Sequence, residues 1–388
     1  MRRLACLTLI TLSASVWAET VPGPQESDAE FHFVVLGDAQ FDSPASFNRL
    51  IDQTRQLRPA FVIQVGDLIE GYSSDLEAVR AEWRRFKRQI APLAPVPYYP
   101  VPGNHDTYGG NKKPDAALEG LYVSEWGPLY YTFTYKNAQF FALNSDQREH
   151  AAGIGGRQLA WLRNALENSA KTHKFVFMHR PPHLMDNRDT LHGLFTRHGV
   201  SEVFYGHHHH YHHYQRDGVN YTMTNAGGDM AHDNPVAGGY FQLLQVSVRG
   251  AEVDVAPIAA DAIRPRDSVH PRDNYDLFAL GRRLIPDTVK LAGRSDHHFQ
   301  WHLPLFNPTE RQLDVYVSCA SADKRWQFEP AVIEPIRMRA GSSHTIEMTA
   351  SFAPGRQPES RPHCELRVPL QKVDGRWFDF TTTVVGQR

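Results

Sequence analysis

One pattern occurs five times in this chain: a short apolar run that stops abruptly on residues able to hold a cation. Residues 31–37 lead to Asp38, Ala39 and Gln40, and residues 61–65 lead to Gly66 and Asp67. The run 96–101 leads through Pro102 to Gly103, Asn104, His105 and Asp106. Residues 174–178 lead to His179, and 202–205 lead to Gly206, His207, His208 and His209. A short apolar run bounded by glycine and turn residues reads as a buried strand. Open α/β sheets place their ligands at the C-terminal edges of such strands. Five strand ends carrying carboxylate, amide and imidazole groups point to one polynuclear metal site.

Between the runs the spacing changes to that of helices. Phe47, Leu50, Ile51, Thr54 and Leu57 share one face, as do Leu76, Val79, Trp83, Phe86 and Ile90. Strand, helix, strand, helix, strand predicts parallel pairing with helices on the faces. Residues 107–128 read as a long irregular insertion, and loops of that length in a compact domain are usually functional. A hairpin is expected over 130–143, helices over 156–169 and 190–198, and further strands over 221–224, 240–248 and 252–256.

The ordered set Asp38-x-Gln40, Gly66-Asp67, Gly103-Asn104-His105-Asp106, His179-Arg180-Pro181-Pro182 and Gly206-His207-x-His209 resembles the calcineurin-like metallophosphoesterases. The resemblance covers residues 31–257 and departs at one place, where Gln40 stands for the family's usual histidine. It implies an αββα sandwich of two sheets. It also implies two divalent or trivalent ions (Mn, Fe or Zn), with Asp67 bridging them. Asp38, Gln40 and His209 would complete the first site, and Asn104, His179 and His207 the second. Alternation along the strand edge would set His207 and His209 on one side and His208 on the other. The implied reaction is hydrolysis of a small phosphate mono- or diester by a metal-bridging hydroxide. His105 matches the acid position, and Asp106 would orient it or cap the next turn. Tyr108, His183 and Tyr211 are candidate substrate contacts, and Asn225 and His232 could rim the pocket. Gln40 offers a harder donor than imidazole, which suits Mn, Fe or Mg better than Zn.

Met1-Arg2-Arg3, the apolar stretch 4–17 and Ala18 have the form of a signal peptide cut after Ala18, so the chain is expected in the periplasm or secreted. Without that segment, Lys plus Arg falls from 41 to 39 against 43 acidic residues, a net charge of −4 with histidine neutral. That balance gives no reason to expect nucleic acid as a partner. No other apolar run is long enough to span a bilayer.

The phosphoesterase domain is expected over 19–258, followed by a linker or wrapping segment over 259–285. Residues 286–388 carry about seven short alternating runs, the signature of an immunoglobulin-like β-sandwich. That domain holds no motif for chemistry and is expected to give support or a protein-partner contact. Its Cys319 and Cys364 could pair in an oxidising compartment. The competing reading is a non-enzymatic metal-binding or adhesion protein, its first metal site degraded by Gln40. The otherwise complete set of metal-binding residues speaks against it.

Overall fold

In the computed structural model, which describes residues 30–387 except 149, 152, 231–233, 261 and 323, two β-sheets lie face to face. The expected signal segment and His232 lie outside the described residues. In chain order the first part contains β1 (Glu30–Leu36), α1 (Pro44–Leu57), β2 (Val62–Val65), α2 (Leu76–Ile90), β3 (Tyr98–Val101), α3 (Asn104–Thr107) and α4 (Ala116–Trp126). Next come β4 (Tyr131–Tyr135), β5 (Ala138–Ala142), the short pair β6 (Asp146–Gln147) and β7 (His150–Ala151), α5 (Gly156–Glu167), β8 (His173–Phe177) and α6 (Arg188–Arg197). Then follow β9 (Glu202–Tyr205), β10 (His212–Arg216), β11 (Val219–Met223), β12 (Gln242–Arg249) and β13 (Glu252–Ala259).

The two sheets have strand orders β13-β12-β1-β2-β3 and β10-β11-β9-β8-β5-β4. β1, β2 and β3 run parallel, as do β8 and β9. The pleat explains why these strands read as unbroken apolar runs. Phe31, Phe33 and Val35 of β1 enter the core between the sheets, while Val34 and Leu36 face α1 and α2 on the outside. On the second sheet, Phe175 and Phe177 face inward, and Val176 meets α5 and α6. Both faces are covered, so neither can be polar. The result is an αββα sandwich. Its inner core is dominated by phenylalanine rings in stacked and edge-on contact, such as Phe33–Phe61 at 5.1 Å and Phe61–Phe140 at 5.0 Å.

Two expectations change here. The insertion 107–128 contains a helix, α4, capped by Asp115, with Leu118, Leu121 and Tyr122 buried beside Trp83. Its apolar residues are not confined to one face, and Gly120 lies mid-helix, so the period was hidden. The expected linker also carries a helix, α7 (Pro271–Arg283), whose Leu277 and Leu280 join the core of the C-terminal domain.

That domain contains β14 (Thr288–Ser295), β15 (His298–Phe306), β16 (Leu313–Ala320), β17 (Gln327–Glu329), β18 (Ile336–Met338), β19 (Ser343–Ser351), β20 (His363–Gln371) and β21 (Trp377–Gln387). β14 changes partner midway. Thr288–Lys290 pairs with β21 in parallel, and Leu291–Ser295 pairs with β15 antiparallel. One strand thus links the layer β17-β19-β15 to the layer β21-β20-β16-β18, and Trp301, Met348, Leu366 and Val315 fill the space between them. This is the expected added β-sandwich.

Cys319 and Cys364 face each other across β16 and β20 and are disulfide-bonded. Closing a loop over a separation of 45 residues is worth about 3–4 kcal/mol in the chain-entropy model. The expected outcome is fewer than one free thiol from this pair on titration of the denatured, unreduced chain, and a Cys319→Ser, Cys364→Ser variant less stable by about that amount in denaturant melts.

Candidate metal centre

β1, β2 and β3 share one sense, as do β8 and β9, and the loops after all five strands meet at one edge of the sandwich. The loops there approach so closely that side chains are excluded at key points. A Cβ on Gly103 would lie 2.2 Å from Asp67 Oδ1, and one on Gly206 would lie 2.3 Å from Asp38 Oδ2. The glycines in these motifs therefore make room for the carboxylates beside them. Gln40, Asp67, His207 and His209 all adopt positive φ, at 34°, 51°, 77° and 55°. For non-glycine residues such backbone is costly, and it concentrates at functional sites.

Two groups of donors form. Asp67, His179 and His207 bring ligand atoms within 4.8 Å of one another, and so do Asp38, Asp67 and His209. Asp67 belongs to both. The histidine tautomers follow from their outer partners. His179 Nδ1 donates to the carbonyl of Val65 at 2.9 Å, and His209 Nδ1 donates to the carbonyl of Asp229 at 2.5 Å. A carbonyl can only accept, so in the neutral ring each Nε2 presents a lone pair to the centre. Asn104 Nδ2 is 2.5 Å from the Tyr72 hydroxyl, which turns Asn104 Oδ1 inward.

His179 Nε2 then lies 3.0 Å from Asn104 Oδ1, 3.0 Å from Asp67 Oδ2 and 3.1 Å from His207 Nδ1. Four lone-pair atoms converge with at most one proton to share. That is a donor set for a cation, and the residues fit the metal pair. Electrostatics give the same reading. Burial pushes His179 down, but Asp67 and Asp38 outweigh it and lift the ring to about 10. Burial likewise opposes charge on His209, and Asp38 raises it to about 9. Asp67 is raised by burial, yet the imidazoles of His179, His105 and His207 hold it well below the usual carboxylate range. The centre demands positive charge.

The remaining expected residues divide. Gln40 is buried in the site and points its Nε2 at Asp67 Oδ2, 3.4 Å away, so a half-turn of the amide is needed to present its oxygen. His105 stands at the edge, with Nδ1 2.6 Å from the carbonyl of Glu70 and its ring 4.2 Å from that of Tyr72. Asp106 neither orients His105 nor faces the centre. Its carboxylate accepts from the backbone N–H of Leu68 and Gly103, so it caps the turn and ties two loops together. Tyr108 flanks the site beside Arg180. His183 does not reach the centre; it turns to the Tyr275 hydroxyl, 3.2 Å away. Tyr211 is a core residue, its hydroxyl bonded to the carbonyl of Arg266 and its ring packed against Tyr240. Asn225 braces the His209 carbonyl from below, at 3.0 Å.

His207 and His209 do face the centre while His208 turns away to Tyr275, but left-handed turns achieve this rather than strand alternation. Sequence reasoning missed Tyr72, Asp146 and Tyr275, and gave Arg180 no role. Only Arg180 carried a signal, its place directly after His179.

The family model of the calcineurin-like phosphoesterases matches residues 31–211. The serine/threonine-protein phosphatase CPPED1 of Danio rerio is 28% identical over 233 residues, which is 52% of this chain and 74% of that protein. A crystal structure of a dimetal phosphatase from Danio rerio superposes with a TM-score of 0.50 at 15% identity, covering 62% of this chain and 100% of the other. The purple acid phosphatase PPD1 of yellow lupin gives a TM-score of 0.49 at 16% identity, over 65% of this chain and 56% of that one. Residues 31–211 thus match the calcineurin-like phosphoesterases, and the chain is a metal-dependent hydrolase of phosphoric esters. Among the described residues no helix is long and apolar enough to cross a membrane.

Metal uptake must displace protons from this centre. Below about pH 9 both His179 and His209 hold a proton where a cation would bind. Lowering pH therefore weakens metal binding, and raising it strengthens binding until those groups are neutral. Titration of metal-free protein with Mn²⁺ in buffers of different ionisation enthalpy should show net proton release at pH 7 and tighter binding at pH 8 than at pH 6.

Proposed function

We propose that this chain hydrolyses small phosphate mono- or diesters at a dinuclear centre. The observation that carries this reading is the pair of donor groups that share Asp67. Asp38, Gln40, Asp67 and His209 would hold one ion, and Asp67, Asn104, His179 and His207 the other. When bound, the two ions neutralise phosphate oxygens and lower the pKa of a water between them toward neutrality. Manganese, iron and zinc all suit the mixed oxygen and nitrogen set.

The protein's own residues supply placement and a proton. His105 is tethered on both sides. Its backbone N–H donates to Asp67 Oδ1 at 2.9 Å, and its Nδ1 donates to the Glu70 carbonyl. Nε2 is left as the nitrogen that can act on substrate. Held beside the ligand Asn104 but not itself a ligand, His105 is placed to protonate the departing alcohol. Tyr72 braces both residues, through its hydroxyl to Asn104 and its ring to His105.

We further propose that the chain works outside the cytosol. The leader 1–18 and the Cys319–Cys364 bond support this. Mass spectrometry of the exported protein should give Glu19 as the first residue, and an intact Met1 would refute the reading.

The function is tested by elemental analysis joined to a screen of mono- and diesters, with His105→Ala alongside wild type. Two metals per chain and ester turnover are expected. General acid catalysis is worth about 10²–10⁴-fold and matters most for a poor leaving group. His105→Ala should therefore cut kcat strongly on alkyl phosphates and mildly on nitrophenyl phosphates, with metal content unchanged. Equal losses on both would reject the acid role.

A further inference from the structure

Arg180 stands beside the metal centre without belonging to either donor group. Its backbone N–H donates to Ser145 Oγ at 2.9 Å, and its Nε donates to Asp146 Oδ1 at 2.5 Å. Asp146 is fully buried, so the guanidinium is gripped along one edge and its plane is fixed. The Tyr108 ring centre lies 5.8 Å from the guanidinium carbon, and the Tyr108 hydroxyl bonds to both Asp146 and Arg180. On its free side, Arg180 Nη1 lies 3.0 Å from His207 Nε2.

That last contact changes character once a cation binds. His207 directs Nδ1 into the donor cluster, 3.1 Å from His179 Nε2. A neutral imidazole has one lone pair and one N–H. If Nδ1 gives its lone pair to the cation, Nε2 must carry the hydrogen. Arginine has only donors and stays charged. Two donors then face each other at the rim of the centre. An acceptor between them relieves the repulsion, and a negatively charged oxygen suits the guanidinium best.

We propose that Arg180 and the His207 Nε2–H form an oxyanion subsite for a terminal phosphate oxygen, with Asp146 and Tyr108 holding the guanidinium in place, and that this subsite makes the enzyme a monoesterase. The proposal rests on the dimetal reading above. A phosphate monoester dianion has three unesterified oxygens, enough to meet two cations and still offer one to Arg180. A diester has two, and its second ester group would put carbon against the subsite. The donors would then be left unpaired, a loss that gives strong discrimination between substrates.

The test uses metal-loaded full-length wild type, Arg180→Ala and Arg180→Gln. Metal content, kcat/KM on a nitrophenyl monoester and a methyl nitrophenyl diester, and calorimetric binding of inorganic phosphate and dimethyl phosphate are measured. Losing one oxyanion donor typically costs about 10²–10³-fold. Arg180→Ala should keep two metals, lose about that factor on the monoester, and bind inorganic phosphate at least about tenfold more weakly. Diester turnover and dimethyl phosphate binding should stay within about threefold, since those ligands do not engage the subsite. Equal losses on both esters with metals retained, or a wild type that prefers diesters, would overturn the proposal. If wild type hydrolyses neither ester, the phosphoesterase reading fails, and phosphate binding decides the subsite alone: weaker in Arg180→Ala supports it, unchanged refutes it. If Arg180→Ala sheds its metals, Arg180→Gln, which can still donate to Asp146, decides by a monoester-selective loss or by none.

Discussion

A single buried carboxylate, Asp67, joins the loops of this protein into one centre. Its backbone carbonyl accepts from the N–H groups of Ala39 and Gln40, which fixes the loop after β1. Its Oδ1 accepts from the N–H of His105, which fixes the loop after β3. Its Oδ2 meets His179, from the second sheet. Burying such a charge is expensive unless it is paired. The pairing here comes from three separate segments, so the charge is satisfied only when both sheets are in register. Metal binding and the final packing of the sandwich are therefore coupled, as is general for centres that the unfolded chain cannot form.

The same requirement explains why glycine precedes the ligands. Asp67, Asn104 and His207 each follow a glycine directly, at Gly66, Gly103 and Gly206. The spatial reason is close approach between loops. A side chain at Gly103 would occupy the position of the Asp67 carboxylate. The motif is thus less a local turn signal than a record of which loops touch.

Much of this was readable from the chain alone. The strand ends and their cation-binding residue types follow from apolar runs that stop on polar groups, whereas the two-sheet architecture and the ligand assignments come from the resemblance that the ordered motifs carry. The errors share a cause: they concern residues whose role is set by contacts distant in sequence. Asp106 sits inside the most informative motif, and of its two expected roles it takes the capping one, with a carboxylate that also spans back to Leu68. Tyr211 lies within the histidine cluster, yet it faces the inner core because the chain reverses between His209 and β10. Neither fact leaves a trace in spacing. Arg180 had a visible position but no visible partner, since Asp146 comes from a two-residue strand too short to show a period.

The histidines that do not face the centre show how far its support extends. His208 and His183 both bond to the hydroxyl of Tyr275, at 3.0 and 3.2 Å, and the rings of His210 and His212 pack around the same residue. Tyr275 belongs to α7, in the segment that composition alone presents as a linker. The next residue, Asp276, is gripped by Arg311 of the C-terminal domain, and Asp273 accepts from the backbone of Val373. A continuous path of hydrogen bonds therefore runs from the sandwich through one helix to the loop that carries His207 and His209. Loops in left-handed conformations need support from outside themselves to stay ordered. In this chain that support comes partly from the C-terminal β-sandwich, which holds α7 and through Tyr275 the loop of the metal centre.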